Sequence, residues 1–148
     1  MKHIIIATCL IAAGASFSGT VLADQQCGQI TVKNITKESQ SIYPAFIYKV
    51  DGKNIMGQRQ TMNLPVGTHE IELKEMIDDQ TVRRFRQLNG TSEAKTLTLN
   101  VSADKKYALA SKFNRDAKSQ IRTGQHWTPV VWKEYDKSCE FSWHDSKA

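Results

Sequence analysis

Residues 64–77 read LPVGTHEIELKEMI, and this stretch decides the fold class. From Thr68 onward the side chains alternate, with His69, Ile71 and Leu73 on one face and Glu70, Glu72 and Lys74 on the other. A period of two is typical of a β-strand with one buried and one solvated face. The preceding residues favour a turn, because Pro65 fixes φ and Gly67 tolerates positive φ. The pattern therefore predicts an antiparallel sheet that lies on a core.

Similar segments lie on both sides of this strand. The sequence predicts strands over residues 28–36, 42–50, 54–58, 68–77, 96–101, 107–113 and 128–135. Asp51-Gly52 is a strong hairpin signal, and Pro44 favours a sheet edge because it donates no backbone hydrogen bond. Turns recur about every ten residues, which is typical of a sandwich. We therefore expect an all-β fold, a single antiparallel β-sandwich of about seven to eight strands.

Three segments are less regular. Residues 107–113 fit a strand, which we favour, although Tyr107, Ala110 and Ala117 also have helix-like spacing. Residues 81–88, where three arginines surround a phenylalanine, indicate no single type of structure. The polar and basic residues 114–124 are expected to form a loop.

Residues 1–23 are typical of a secretory signal peptide. Lys2 and His3 form a short basic start, and residues 4–13 are apolar but too short to span a bilayer. The small or apolar residues that end at Ala23 favour cleavage after that position. An uncleaved membrane anchor is the alternative, but Gly and Ser residues dilute the apolar run. We expect residues 24–148 to form one exported domain, periplasmic or secreted, that does not span a membrane.

The cysteines predict a disulfide. Cys9 lies inside the leader and Cys27 follows three polar residues, so neither position suits lipid attachment. Cys27 and Cys139 remain after cleavage, and an exported protein oxidises such a pair. A reactive thiol is the alternative, but it needs a base or a neighbouring Cys to lower its pKa, and no C-x-x-C is present. We therefore expect a structural bridge across almost the whole domain.

The charge balance limits the classes of ligand that this protein is expected to bind. The 148 residues hold 20 Lys and Arg against 15 Asp and Glu, a net charge of +5; without Lys2 the balance is 19 against 15, or +4. Basic residues form two groups, Arg83, Arg84 and Arg86 in one and Lys105, Lys106, Lys112, Arg115, Lys118 and Arg122 in the other. Basic surfaces attract polyanions. For an exported protein such a polyanion would be an anionic envelope glycan or a lipid head group rather than nucleic acid. The interpretation that we favour for these residues, however, is a solvated basic face that aids solubility.

Aromatic residues concentrate in the last third of the chain: Tyr107, Phe113, Trp127, Trp132, Tyr135, Phe141 and Trp143. Exposed rings stack on sugars or anchor a protein partner, whereas buried rings fill the sandwich. We expect Trp132, which adjoins two valines, to lie in the core and Trp127 to be partly exposed. The candidate ligand-binding residues are therefore Arg115, Lys118, Arg122 and Trp127.

The sequence gives no motif for catalysis. The histidines after the leader are His69, His126 and His144, and none has H-x-x-x-H or H-E-x-x-H spacing. A catalytic zinc site usually needs three convergent ligands, and G-x-S-x-G is absent. We expect no metal, no cofactor and no enzymatic activity. The alternative is a small periplasmic hydrolase or metal-dependent enzyme that uses His126, His144 or His69.

Several of these stretches share the layout of a known type of module. They are Val50-Asp51-Gly52-Lys53, residues 64–73, Lys95-Thr96-Leu97-Thr98-Leu99-Asn100-Val101 and Tyr107-Ala108-Leu109. The layout resembles the small β-sandwich modules of the PEGA and carboxypeptidase-regulatory, transthyretin-like kind, and uncharacterised exported proteins of Gram-negative bacteria. Leu64-Pro65-Val66-Gly67 stands where Pro-Glu-Gly-Ala is usual. The resemblance covers half of residues 24–148, implies an envelope module that binds or supports, and transfers no catalytic residue.

These features lead to an exported, non-enzymatic binding or structural module of the cell envelope. Its ligand would be an anionic envelope polymer or a protein partner. A purely structural subunit, whose sheet edge adds to a partner's sheet, is a further possibility. The sequence indicates no oligomeric state.

Overall fold

The computed structural model describes residues 26–33, 35–55, 60–90 and 92–140. The predicted signal peptide lies outside these residues. The described strands are β1 (Cys27–Thr31), β2 (Ile42–Tyr43), β3 (Ala45–Val50), β4 (Lys53–Asn54), β5 (Thr61–Pro65), β6 (Gly67–Glu75), β7 (Lys95–Val101), β8 (Lys105–Phe113) and β9 (Trp127–Asp136). One α-helix, α1, spans Gln80–Asn89, and 3-10 segments span Glu38–Gln40 and Arg115–Thr123.

The strands form two sheets, which confirms the all-β sandwich. The first sheet joins β5, β1, β8 and β9 in that order, and β2 also pairs with β8. The second sheet has the order β4, β3, β6, β7. Among the described strands, all pairings are antiparallel except that of β1 with β8, which is parallel. The expectation of a wholly antiparallel sandwich was therefore wrong for this one pair.

The main core lies between the two sheets and follows the predicted alternation of β6. His69, Ile71 and Leu73 are buried, whereas the glutamates between them are exposed or half-buried. Ile30, Leu109, Val101 and Trp127 come from other strands and are also almost fully buried in this core. Removal of this much apolar surface from water is the main force that holds the sheets together.

Residues 42–50 are not one strand. Pro44 separates β2, which pairs with β8, from β3, which pairs with β6 in the other sheet. Proline cannot donate to a ladder, so the chain leaves one sheet at this residue and enters the other. The Asp51-Gly52 hairpin is confirmed between β3 and β4, with positive φ at both residues.

The segment left unassigned at residues 81–88 is the helix α1. Asp79 caps it, since its carboxylate accepts a hydrogen bond from the backbone N–H of Thr81. Val82 is buried and Phe85 packs against the main core, so one face of the helix closes an end of the sandwich. The three arginines of this segment occupy other positions of the helix, and in the sequence two of them separate the apolar residues that form its buried face.

The structure also assigns the two neighbouring segments at residues 107–113 and 114–124. The strand prediction for residues 107–113 is confirmed by β8. The loop predicted at residues 114–124 is instead mostly the 3-10 segment Arg115–Thr123, whose Ala117 and Ile121 are buried. These two apolar residues are four positions apart, which is a helical spacing. A prediction based only on the polar composition of the segment misses it.

The predicted disulfide is present between Cys27 and Cys139, with Cα atoms 5.6 Å apart. The backbone N–H of Cys139 also donates to the Asp104 carboxylate. Gly28 lets β1 approach the turn before β8, because an added Cβ would lie 2.6 Å from the carbonyl oxygen of Ser102. The bridge thus ties the chain after β9 to the first strand.

Replacement of both cysteines by alanine should lower the free energy of unfolding by roughly 4 kcal/mol, because a bridge over a sequence separation of 112 constrains the unfolded chain. Urea unfolding with and without reductant measures this loss. Reductant should bring the wild type to the level of the double variant and leave that variant unchanged. A fully reduced wild type of undiminished stability would contradict the prediction.

Candidate functional site

The candidate site is a groove of about 320 Å³ on the outer face of the first sheet, the face turned away from the main core. Described residues that line it come from β1 and the loop after it, from β8 and from β9. They are Thr31, Lys33, Ile35, Thr36, Lys106, Ala108, Trp132, Lys133 and Tyr135. We call this surface the lysine–tryptophan groove.

A small second cluster of apolar residues supports one side of the groove. Ile35 and Ile42 are buried against Ala108 and Ala110 of β8. Trp132, with Val130, packs on the same cluster. Because the alanines have short side chains, the loop after β1 can lie close to the sheet, and the groove opens beside it.

An irregularity in β9 shapes the opposite side. Ala108 pairs with Lys133, but the next residue, Leu109, pairs with Val131, so Trp132 is an extra residue in the ladder. Neighbours in a regular strand point to opposite faces. At this bulge Trp132 and Lys133 instead both line the groove, with the Lys133 Nζ 5.7 Å from the centre of the indole.

The charge of the groove is positive. Lys33, Lys106 and Lys133 line it, and no described lining residue is acidic. None of the ion pairs among the described residues involves these three lysines. The nearby carboxylates of β9 are held by Lys105, which lies 2.7 Å from Asp136 and 3.3 Å from Glu134. The hydrogen bond to Lys105 lowers the pKa of Asp136, and the reciprocal bond raises the pKa of Lys105.

Three of the residues predicted to bind ligand lie together elsewhere, on the Arg115–Thr123 segment. Arg115 donates to the backbone carbonyl of Glu38 at 3.0 Å. Lys118 lies 2.9 Å from the Asp79 carboxylate, and Arg122 is exposed. Burial raises the pKa of Asp79, but the hydrogen bonds from Lys118 and from the Thr81 N–H outweigh this effect and lower it. Much of this surface charge therefore already has partners within the protein.

The expected exposure of Trp127 was wrong. Its side chain is fully buried in the main core, where Lys95 lies 5.2 Å from the ring centre and donates to the Trp127 carbonyl at 2.6 Å. Burial lowers the pKa of Lys95. Trp132, expected in the core, is only half-buried and packs on the outer face. Trp127 is thus the buried tryptophan and Trp132 the partly exposed one, which is the reverse of the prediction.

Both ring nitrogens of His69 lie within hydrogen-bond distance of groups in the protein. One ring nitrogen lies 2.6 Å from the Asp51 carboxylate and the other 2.7 Å from the backbone carbonyl of Pro65. Burial raises the pKa of Asp51, but hydrogen bonds from His69 and from the Glu70 N–H outweigh this and lower it. His69 therefore fixes the β3–β4 hairpin to the start of β6.

His126 lies beside a buried carboxylate. The Glu75 side chain is inaccessible and accepts hydrogen bonds from Arg86, Ser92 and the Ile77 N–H. The Nε2 of His126 is 4.0 Å from Glu75, beyond hydrogen-bond distance, and neither ring nitrogen has a hydrogen-bond partner among the described residues. Burial is the largest effect that lowers the pKa of His126; the Glu75 charge opposes it, and Lys95 and Arg86 lower it further.

This buried group does not have the geometry of a nucleophile and its base. Ser92 donates to Glu75 rather than to His126, whereas nucleophilic catalysis places the hydroxyl within reach of the base. His126 is 0% exposed. Among the described residues, no three of His, Cys, Asp and Glu lie close enough to hold a metal ion. The third histidine of the enzymatic alternative, His144, lies outside the described residues.

Comparisons with protein-family models, with curated proteins and with solved structures found no match to this chain. The resemblance to PEGA-like and transthyretin-like modules therefore stays a prediction, and the site is argued from its own geometry. In the part of the chain that the structure describes, no helix is long and apolar enough to cross a membrane.

The burial of His126 predicts that acid destabilises the fold. Its pKa is lower in the folded protein than the ordinary 6.5, so the unfolded chain binds more protons below that pH. Stability should therefore be complete above about pH 6.5 and fall as the pH drops toward the folded pKa, by at most about 1.4 kcal/mol per pH unit for this group. Chemical unfolding between about pH 7.5 and about pH 5.5 measures the slope.

His126→Leu supplies the control, because leucine is similar in volume and does not titrate. The difference between the slopes of wild type and variant reports the contribution of His126, since the variant keeps every other ionisable residue. Equal slopes for the two proteins over this pH range would contradict the prediction.

Proposed function

We propose that this protein is an exported, non-enzymatic binding module of the cell envelope that holds an anionic ligand in the lysine–tryptophan groove. One observation carries the proposal: three lysines that form no ion pair among the described residues line the same groove as an indole and a phenol ring. Lysine ammonium groups attract carboxylate, phosphate or sulfate groups, and exposed rings add contact area.

Two features support export. The first 23 residues have the pattern of a cleaved leader, and the domain carries a disulfide, which persists in oxidising compartments such as the periplasm. In the envelope the abundant polyanions are polymers of the cell surface rather than nucleic acids. An anionic envelope polymer is therefore the favoured ligand.

The structural alternative, addition of a sheet edge to a partner, has little support at the β9 edge of the first sheet. β9 pairs with β8, but Pro129 cannot donate a backbone hydrogen bond and Trp132 interrupts the ladder. Proline, bulges and charged residues are the usual means by which proteins protect a sheet edge. A partner strand would therefore find β9 a poor template.

Charge removal tests the proposal. The triple variant Lys33→Gln, Lys106→Gln, Lys133→Gln should bind immobilised dextran sulfate about tenfold or more weakly than wild type, since an exposed ion pair contributes up to about 1 kcal/mol. Wild-type binding should also weaken as salt rises, because salt screens exposed charges. Retention at several ionic strengths and titration calorimetry measure both effects.

The matched control removes the same charge from the other surface: Arg115→Gln, Lys118→Gln, Arg122→Gln. This variant should keep at least half of the wild-type affinity. If it loses binding while the groove variant retains it, the ligand lies on the Arg115–Thr123 segment and the groove proposal is wrong. Absence of any salt-sensitive binding to dextran sulfate, polygalacturonate or polyphosphate would overturn the proposed function itself.

A further inference from the structure

The bulge in β9 does more than add one aromatic residue to the groove. Without it, strict alternation from the buried Trp127 would place residues 133 and 135 toward the core side of the sheet. The extra residue reverses the alternation, so Lys133 and Tyr135 line the groove together with Trp132. Bulges commonly re-aim side chains next to functional sites.

The result is an indole and a phenol beside ammonium groups on one surface. Trp132 packs on the buried cluster that contains the alanines of β8, so its ring has a supported position. Tyr135, which also lines the groove, is 46% exposed. A flat ring contacts the C–H face of a sugar, because that face is apolar and the aromatic face carries partial negative charge.

We propose that the ligand is an acidic polysaccharide, whose sugar ring lies on Trp132 while its carboxylate or sulfate groups pair with the groove lysines. This inference rests on the proposed function and names its ligand class. A volume of about 320 Å³ is at the lower end of the range that drug-sized ligands occupy, so the groove takes a short segment of the chain. Because single exposed ion pairs are weak, a repeating polymer gains by presenting many such segments.

The distribution of exposed apolar residues disfavours a lipid surface. The large exposed hydrophobic side chains among the described residues are Val66, Met76, Leu88, Val131 and Tyr135. Only Tyr135 lines the groove. Membrane-surface binding needs several apolar side chains that enter the lipid together with basic ones, and the groove does not offer them.

Four probes separate the ligand classes: dextran sulfate, unmodified dextran, inorganic polyphosphate and vesicles of anionic phospholipid. The first two share a backbone and differ in charge, and polyphosphate has charge without sugar rings. Titration with the full exported domain should give binding in the order dextran sulfate, then polyphosphate, with dextran and vesicles at least tenfold weaker than dextran sulfate.

Trp132 supplies the decisive variants. Trp132→Leu should weaken dextran sulfate binding about fivefold or more and leave polyphosphate binding within twofold of wild type. Trp132→Phe keeps a ring and should restore most of the lost affinity. The matched control is Tyr48→Leu, because Tyr48 also has lysines near its ring, Lys74 at 4.3 Å and Lys49 at 5.2 Å, but it lies in the other sheet.

The outcomes distinguish the two proposals. Equal loss of both polyanions in Trp132→Leu, or no loss of either, would show that charge alone is recognised; the acidic-sugar inference would fail and the anion-binding groove would stand. Vesicle binding tighter than dextran sulfate binding would overturn the inference in favour of a lipid head group. Equal thermal stability of Trp132→Phe and wild type checks that substitution at this position leaves the fold intact. If Trp132→Leu unfolds, the binding of dextran sulfate and polyphosphate by Trp132→Phe is compared with that of wild type instead.

Discussion

Strand β8 is the constraint on which the other features of the first sheet depend. A strand has two edges, and β9 pairs along one of them from Lys105 to Phe113. β1 and β2 must therefore share the other edge, β1 at residues 106–108 and β2 at residues 111–112. Because β1 runs parallel to β8 and β2 runs antiparallel to it, the chain between them has to reverse direction beside the sheet.

That reversal produces the wall of the groove. The connecting residues carry Ile35 and end at Ile42, and both bury their side chains against the outer alanines of β8. Burial of these apolar side chains stabilises the packing of the described part of this segment against the sheet. A sheet face that would be flat and fully solvated thus gains a raised border. The groove follows from strand pairing rather than from a dedicated motif.

Part of this arrangement could be predicted from the sequence. The alternation at His69, Ile71 and Leu73, the Asp51-Gly52 hairpin and the disulfide depend on local patterns or on simple counting, and the structure confirms them. Strand alternation cannot assign the faces of β9, because one extra residue at Trp132 reverses the faces of the residues after it in the strand. Val130, Val131 and Trp132 are all apolar, so the sequence fits an assignment of either face to each of them. The bulge therefore cannot be recognised from the apolar pattern.

The groove itself was beyond sequence reasoning for a different reason. Its lysines come from β8, from β9 and from the loop after β1, and positions 33 and 133 are a hundred residues apart. Grouping charges along the chain instead favoured Arg115, Lys118 and Arg122, which are neighbours on one 3-10 segment. Sequence proximity of basic residues reports local charge density, whereas a binding surface depends on which charges the fold leaves without partners.

The distribution of carboxylates shows how the fold makes that distinction. Glu75 is buried and binds Arg86, which fastens α1 to the end of β6. Asp79 caps the same helix and also pairs with Lys118, so the helix and the Arg115–Thr123 segment hold each other in place. These acidic groups serve stability at the helical end of the sandwich. The three lysines of the groove form no ion pair among the described residues, so no carboxylate described there neutralises their charge.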